Sequence, residues 1–340
     1  MKKIKVAQIG VTHEHGPSKM ISLESMPDVF EIAGFVNDIP TNHTPRFVHE
    51  VHESFRRHKE LTLDEVLNDP EIEAVLVEVP NNELVPMAIR CAERGLAMHM
   101  DKPAGLDLEL YRKLLDICRT KKLPFQMGFM FRGNPAFQFC IRAIRRKVIG
   151  ELISIEADMN HGYGGEPYQE YISQFSGGLM YNLGCHMIDF VAAAMGRPEQ
   201  VTGCLRSAPG DPDHIKNNCL AVLEYPNAYA VIKSCSRQSL CTPSRTIRIV
   251  GTNGTIIFSP VERFDGGSVE INMELKNAAA DYPAGKHVIT FPPQTDRYTE
   301  QLLELAQVIR GEQEPVYSLE HDFLVHEITL AAAGYCDWKK

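Results

Sequence analysis

Over the first 130 or so residues, short apolar runs alternate with stretches whose apolar residues recur at helical spacing. The runs that predict buried strands are Ile4–Ile9, Phe30–Val36, Ala74–Val79, Ala97–Met100 and Phe125–Met127. Between them, Leu84–Glu93 and Leu108–Thr120 have the period of helices. Strands that alternate with helices in this way predict an α/β domain with a doubly wound, mostly parallel sheet covered on both faces.

The pattern changes after about residue 130, where helices are predicted at 135–147 and 178–195. Later segments alternate at the period of strands, with turns between them: Cys219–Tyr225, Tyr229–Ser236, Thr246–Val250, Thr255–Phe258 and Ser268–Leu275. They predict a second, α+β domain with a large, open, mainly antiparallel sheet. Two further helices, Arg297–Arg310 and Leu319–Ala333, end the chain, and we expect them to pack back on the first domain.

Composition narrows the class of protein. The chain has 340 residues, of which 44% are hydrophobic and 23% charged, as in an ordinary globular protein. Its net charge of −9 argues against binding to nucleic acid or to an anionic membrane surface. Neither a signal peptide nor a membrane-spanning run is predicted. The nine cysteines are scattered, with no C-x-x-C pair, so we expect reduced thiols in a cytoplasmic protein.

The first predicted strand runs into the turn GVTHEHGP and then into a helix. In this context backbone N–H groups and a helix N-terminus can bind a pyrophosphate. The spacing departs from G-x-G-x-x-G, because Thr12 stands at the middle glycine and Gly16 comes one place late. An ordinary turn between strand and helix therefore stays an alternative. The candidate cofactor contacts of this loop are Gly10, Thr12, His13, His15 and Gly16. Since i, i+2 spacing of histidines in a turn is no ligand signature, we expect no metal here.

The second strand ends in Asn37 and Asp38, some twenty residues past the loop. An acidic residue there can accept hydrogen bonds from the adenosine ribose hydroxyls, and the following Ile39–Thr41 offers no cation for a 2′-phosphate. These features predict NAD as the cofactor. The alternative is that Asp38 only begins a turn.

Asp101, Lys102 and Pro103 directly follow the predicted strand Ala97–Met100. Ligands of open parallel sheets bind beyond the carboxyl ends of the strands. A lysine in that place can stabilise an alkoxide or share a proton, although a lysine is usually only solvated. Position is the whole argument for Lys102.

A second group of polar residues lies on the predicted helix at 178–195. Asn182, His186 and Asp189 recur at i, i+4 and i+7, and so they share a face beside an apolar stripe. Such a face predicts a lined cavity, in which a histidine is well suited to act as a general base near neutral pH. The alternative is a helix-start asparagine and a core histidine.

Several of these elements resemble the Gfo/Idh/MocA oxidoreductases. They occur in the expected order along nearly the whole chain: Gly95, Asp101–Pro103, Arg132 with Asn134–Pro135, Gly177–Asp189 and Gly251–Thr255. The lysine-proline pair and the G-x-H-x-x-D element are fairly specific in combination. The resemblance implies an N-terminal dinucleotide-binding Rossmann domain over residues 1–128 and a substrate-binding and oligomerisation domain over residues 129–340. It also implies a homodimer or homotetramer assembled through the C-terminal sheet.

The resemblance implies roles for individual residues as well. Lys102 would orient or polarise the reacting oxygen, and His186 would take the hydroxyl proton. Val79, Pro80 and Asn81 would border the nicotinamide end of the cofactor, and Asp101 and Lys102 are further candidate cofactor contacts. Candidate substrate contacts are Lys102, Arg132, His161, Tyr163, Asn182 and His186. Four positions depart from the family pattern: Thr12, Asp101, Leu84 and Asn182. Asn182 replaces an aspartate, and this replacement bears directly on the expected proton transfer.

Three functions fit this pattern. The first is an NAD-dependent dehydrogenase of a sugar, inositol or related polyol. The second is a glycoside-cleaving enzyme that uses NAD transiently, by oxidation, elimination and reduction. The third is a non-catalytic NAD-binding sensor, which Asn182 favours but Lys102 and His186 oppose.

Overall fold

The structure, a computed structural model, describes residues 2–38, 50–160, 162, 165–239 and 245–339. The chain divides into two units. The first consists of Met1–Met130 and Tyr298–Phe323, and the second of Phe131–Arg297 and Leu324–Lys340. The C-terminal residues are thus divided between the two units: residues 298–323 belong to the first and residues 324–340 to the second.

Six strands form the sheet of the first unit, and every pairing between neighbours is parallel. The strands are β1 Ile4–Ile9, β2 Phe30–Val36, β3 Glu60–Leu61, β4 Ala74–Val77, β5 Ala97–Met100 and β6 Phe125–Met127. Their order is β3-β2-β1-β4-β5-β6, the doubly wound order in which the connections change direction between β1 and β4. The predicted fold class of this unit is confirmed. Ligands of such sheets bind at the carboxyl ends of the strands beside that change.

Within the described residues, five α-helices lie wholly in the first unit, and two of them begin with side-chain caps. They are α1 Gly16–Glu24, α2 Leu63–Asn68, α3 Leu84–Arg94, α4 Leu108–Lys121 and the later helix Thr299–Ile309. Thr62 and Glu65 form a reciprocal capping box at α2, and the Asp107 side chain accepts the Leu110 N–H at α4. The later helix packs Leu302 and Ala306 against the β1 core.

The second unit contains an eight-stranded sheet in which all neighbours but one pair are antiparallel. Its strands are β7 Leu152–Asp158, β8 Gln200–Arg206, β9 Asn218–Tyr225, β10 Ala228–Cys235, β11 Ile247–Gly251, β12 Gly254–Phe258, β13 Val269–Leu275 and β14 Gly285–Phe291. Burial alternates strictly along β13, because one face of the sheet is covered and the other exposed. The predicted mainly antiparallel sheet is confirmed.

The first-unit helix Thr299–Ile309 is α8, and the remaining helices are α5 Pro135–Arg145, α6 Glu166–Ser173, α7 Cys185–Met195 and α9 Leu319–Ala332. α7 is almost wholly buried and packs on α5, so polar side chains on it must find partners inside the unit. Among the described helices, none combines the length and the apolar character needed to cross a membrane.

Candidate active site and cofactor loop

The turn after β1 depends on Gly10, which has a φ of +101°. A Cβ at this position would lie 2.5 Å from the Glu78 carbonyl oxygen of the neighbouring strand end, so no other residue fits. After the turn, α1 begins at Gly16 with Pro17 in its first turn, where the missing proline N–H costs nothing. This backbone is the close-approach turn that a pyrophosphate needs.

The Asp38 carboxylate is bound to this loop. Its Oδ1 accepts hydrogen bonds from the Val11 N–H at 2.8 Å and the Thr12 N–H at 3.1 Å, and its Oδ2 accepts the Thr12 hydroxyl. Asp38 therefore does more than begin a turn, because its carboxylate binds the loop after β1. The hydroxyl of Thr12 also explains why this loop has a threonine where the family pattern has a glycine, since the side chain bonds to the end of β2. Asn37 precedes Asp38 at that end.

His13 and His15 meet a third residue that their sequence spacing does not reveal. His13 Nε2 lies 3.1 Å from Asp101 Oδ2, and His15 Nδ1 lies 3.1 and 3.2 Å from the two Asp101 oxygens. Burial lowers the pKa of His13 to about 3, against the opposing charge of Asp101, so its ring is neutral at neutral pH. The three side chains form one cluster at the carboxyl ends of β1 and β5.

Lys19 and Glu78 complete the buried polar group, and neither was singled out from the sequence. Lys19 Nζ lies 2.7 Å from Asp101 Oδ1 and 2.6 Å from Glu78 Oε1, and all three side chains are fully buried. The available signals were a glutamate directly after a run of buried apolar residues and a lysine on a helix face that turns inward. Gly128 leaves room for the group, because a Cβ there would lie 3.1 Å from Lys19 Nζ.

The carboxyl groups of Asp101 and Glu78 both contact the ammonium group of Lys19, and only one of the two is ionised at neutral pH. Burial lowers the pKa of Lys19, but the charges of Asp101 and Glu78 outweigh burial and raise it above its usual value. Burial favours a raised pKa for Asp101 too, but Lys19 and both histidines hold it well below its usual range. Burial raises the pKa of Glu78 to about 8, opposed by the charge of Lys19. At neutral pH the ion pair is therefore Lys19–Asp101, and Glu78 keeps a proton.

Lys102 follows Asp101 and is buried. Asn81 Nδ2 donates a 2.9 Å hydrogen bond to the Lys102 carbonyl oxygen, which ties the segment after β4 to the segment after β5. Val79, Pro80 and Asn81 are buried at the same sheet edge. The positive charge of Lys102 also contributes to the low pKa of His13. The first unit therefore gathers the predicted cofactor residues on both sides of the β1–β4 change of direction.

In the second unit, Arg132 is held by Asp189. Its Nη2 lies 2.6 Å from Asp189 Oδ1, and its Nε lies 3.1 Å from both carboxylate oxygens. Both side chains are buried, and the pair anchors α7 to the segment before α5. The structure thus gives Arg132 a protein partner; its contact with substrate stays a prediction.

Asn182 lies in a π-helical turn, Met180–Gly184, inside a helical segment that begins at residue 178 and continues as α-helix from Cys185. The structure is helical over 178–195, as predicted, but the wider turn changes the side-chain spacing that the i, i+4, i+7 pattern assumed. Asn182 Oδ1 accepts a 3.1 Å hydrogen bond from the Tyr168 hydroxyl on α6. Tyr168, which was not a site candidate, is therefore the side chain that orients the Asn182 amide.

His186 is buried on the first turn of α7, with its ring edge-on to Phe131 at 5.6 Å between centroids. The remaining substrate candidates of the preceding loop, His161 and Tyr163, lie outside the described residues. The second unit thus places a histidine and an asparagine, both buried, on consecutive turns of one helical segment.

A six-stranded doubly wound sheet with a glycine turn and an acidic residue after β2 defines the class of dinucleotide-binding proteins. Two family models match the chain within this class: "Oxidoreductase family, NAD-binding Rossmann fold" over residues 4–129 and "GFO/IDH/MocA C-terminal domain" over residues 137–257. The chain belongs to the Gfo/Idh/MocA oxidoreductase family, and its cofactor is NAD.

Individual relatives agree with this assignment. The chain is 27% identical over 278 residues to a scyllo-inositol 2-dehydrogenase (NAD(+)) of Bacillus subtilis, covering 79% of this chain and 77% of that protein. It is 34% identical over 142 residues to an uncharacterized oxidoreductase, ORF334, of Rhizobium meliloti, a stretch that spans 42% of that protein. A levoglucosan dehydrogenase in complex with NADH and levoglucosan has the same fold, with a TM-score of 0.78, 18% identity, and 98% and 97% of the two chains covered.

Proposed function

We propose that the protein is an NAD-dependent dehydrogenase that oxidises a hydroxyl of a sugar, an inositol or a related polyol. The observation that carries the proposal is the placement of Lys102, buried at the carboxyl end of β5 and tied through its carbonyl oxygen to Asn81 after β4. This is the sheet edge at which such folds bind ligands. Relatives named as inositol and levoglucosan dehydrogenases support the substrate class.

The residues of the cofactor loop fit NAD. Gly10 allows close approach of the backbone, α1 begins at the loop, and Asp38 stands where the adenosine ribose hydroxyls need an acceptor. Bound NAD supplies the carbon that accepts a hydride. Val79, Pro80 and Asn81 border the nicotinamide in this proposal.

In this proposal, side chains of the protein transfer the proton and stabilise the charge. The substrate C–H leaves as hydride and the hydroxyl loses its proton, so a base and a charge-stabilising group are both required. In the proposed mechanism His186 takes the proton, and Lys102 stabilises the alkoxide oxygen as the carbonyl forms. Asn182 can donate and accept hydrogen bonds but cannot take a proton, so it orients substrate or base.

A panel of sugars, inositols and glycosides incubated with NAD tests the proposal, with NADH absorbance and product mass followed together. We expect steady NADH formation and a product lighter by two hydrogen atoms with at least one polyol. Cleavage of a glycoside without net NADH, with solvent deuterium in the product, would instead establish transient use of NAD. Binding of NAD with no turnover of any compound would favour the sensor.

A further inference from the structure

The cluster of His13, His15 and Asp101 brings together three side chains that commonly bind metal ions. One potential ligand atom from each residue lies within 4.8 Å of the other two. Asp101 Oδ2 lies 3.1 Å from His13 Nε2 and 3.2 Å from His15 Nδ1, and His15 Nδ1 also lies 3.1 Å from Oδ1. Two imidazoles and one carboxylate are a frequent ligand set for zinc and its neighbours in the first transition row.

The spacing suits a single small ion. Metal–nitrogen and metal–oxygen bonds of about 2.0–2.2 Å place two ligands of one tetrahedral or octahedral ion about 3–3.5 Å apart. The two contacts to Asp101 Oδ2 already have this length, and the two ring nitrogens, which lie within 4.8 Å of each other, would approach to about the same separation. An ion in this position would replace the hydrogen bonds that hold the three side chains together.

The surroundings hold the carboxylate in place. Lys19 binds Asp101 through Oδ1, which leaves Oδ2 directed at the two rings. Outer contacts of this kind orient metal ligands. Glu78 lies on the other side of Lys19, and release of the proton that it keeps at neutral pH would give the cluster a second carboxylate to balance an added cation. The His15 side chain is 18% exposed, and this gives an ion a path from solvent.

We propose that His13, His15 and Asp101 form a binding site for one divalent ion of the late first transition row, the class of Zn²⁺, Co²⁺ and Ni²⁺. Binding moves the His13 ring proton from Nε2 to Nδ1, which releases the weak 3.3 Å hydrogen bond from the His15 N–H. The site uses three of the predicted cofactor contacts, but the proposal does not depend on which substrate the protein oxidises. It adds a cation at the sheet edge where an anionic oxygen of a bound ligand would lie.

The test uses the full chain, purified without a histidine tag and dialysed against a chelator. Co²⁺ is added and its ligand-field absorption is recorded, and Zn²⁺ binding is then measured by calorimetry. We expect one equivalent of either ion. His15→Gln keeps most of the side-chain volume at a partly exposed position and should weaken binding by about 10- to 100-fold or more, since such losses follow even from changes in outer contacts.

Two further variants make the result specific. Asp101→Asn should also abolish tight binding, whereas His58→Ala should bind as wild type does, because His58 pairs with Glu24 elsewhere in the same unit. Melting temperatures and circular dichroism establish that each variant is folded. Wild-type protein that binds no more Co²⁺ than a folded His15→Gln variant overturns the proposal, whether or not the protein oxidises polyols.

Discussion

Asp38 and Thr12 are joined twice, by the Thr12 N–H at 3.1 Å from Asp38 Oδ1 and by the Thr12 hydroxyl on Oδ2. The carboxylate therefore holds the loop after β1, and we predict that its negative charge also opposes the 2′-phosphate of NADP. We expect NAD to bind more tightly than NADP, as calorimetry with both cofactors will measure.

Two substitutions separate these effects. Asp38→Asn keeps an acceptor for the loop N–H groups and removes the charge. It should therefore narrow the difference in affinity between NAD and NADP, with little loss of melting temperature. Asp38→Ala removes the loop contacts too and should weaken both cofactors. Equal or stronger binding of NADP by the wild-type protein would show that Asp38 does not select the cofactor.

Lys102 and His186 carry the proposed chemistry, and each should be separable from cofactor binding. Replacing either by Ala should lower kcat by about 10²–10⁴-fold, the usual cost of losing a positioned proton-transfer group. NAD affinity, measured by calorimetry, should stay nearly unchanged. Lys102→Met repeats the test with the side-chain stem retained.

Matched controls for these variants are Lys113→Ala and His214→Ala, since both side chains are exposed. The controls should have wild-type kcat on the substrate that the panel identifies. Near-normal kcat for Lys102→Ala or His186→Ala on that substrate would remove the role assigned to that residue.

Much of the fold follows from local patterns, and much of the site does not. Alternating strands and helices predicted the first sheet, and strand periodicity predicted most of the second. β14 was missed, because none of its residues is buried: half-buried and exposed positions alternate along it, so it has no buried apolar face. The family and NAD, both predicted from motifs, are confirmed by the family models.

The site depends on contacts between distant parts of the chain. Asp101 lies 86 residues after His15, and no spacing rule could place its carboxylate between two histidines of a turn. Similarly, the ion pair of Arg132 and Asp189 links residues 57 positions apart. Local propensity also cannot foresee the π-helical turn at Asn182, which depends on packing around it.

Glu78 makes the stability of the protein depend on pH in a definite direction. Burial raises its pKa from 4.5 to about 8, so on raising the pH the unfolded chain loses this proton before the folded chain does. The free energy of unfolding should therefore fall between these two pH values, by about 1.4 kcal/mol at most per unit of pKa difference. Glu78→Gln keeps an acceptor for Lys19 and should remove this decrease in the free energy of unfolding.

Urea unfolding at several pH values measures the free energy of unfolding of wild type and of Glu78→Gln, and the difference between the two should change with pH. Glu73→Gln is the matched control, because Glu73 directly precedes β4 as Glu78 directly follows it, but Glu73 pairs near the surface with Lys2. A difference that does not change with pH would mean that Glu78 is ionised in the folded protein.

The exposed face of the eight-stranded sheet should assemble a homodimer or homotetramer. Ile257 on β12 and Val288 on β14 both pair with Asn272 of β13, so they lie on one face, and they are 40% and 61% exposed. Ile257→Glu with Val288→Glu should lower the mass measured by light scattering without lowering the melting temperature. Val316→Glu, at an equally exposed valine outside the sheet, should leave the mass unchanged. A wild-type monomer would contradict the prediction.

Asn182 lies one helical turn before His186, and its amide is oriented by the Tyr168 hydroxyl at 3.1 Å. An aspartate at this position would add a negative charge near the proposed base, and a nearby anion favours the protonated form of a histidine. We therefore expect the acidic limb of the kcat/KM profile to lie about one pH unit higher in Asn182→Asp than in wild type. Tyr168→Phe removes the hydroxyl without adding charge, so it should change the rate but leave the limb in place. Superimposable profiles for wild type and Asn182→Asp, on a substrate that both oxidise, would show that position 182 does not act on the base.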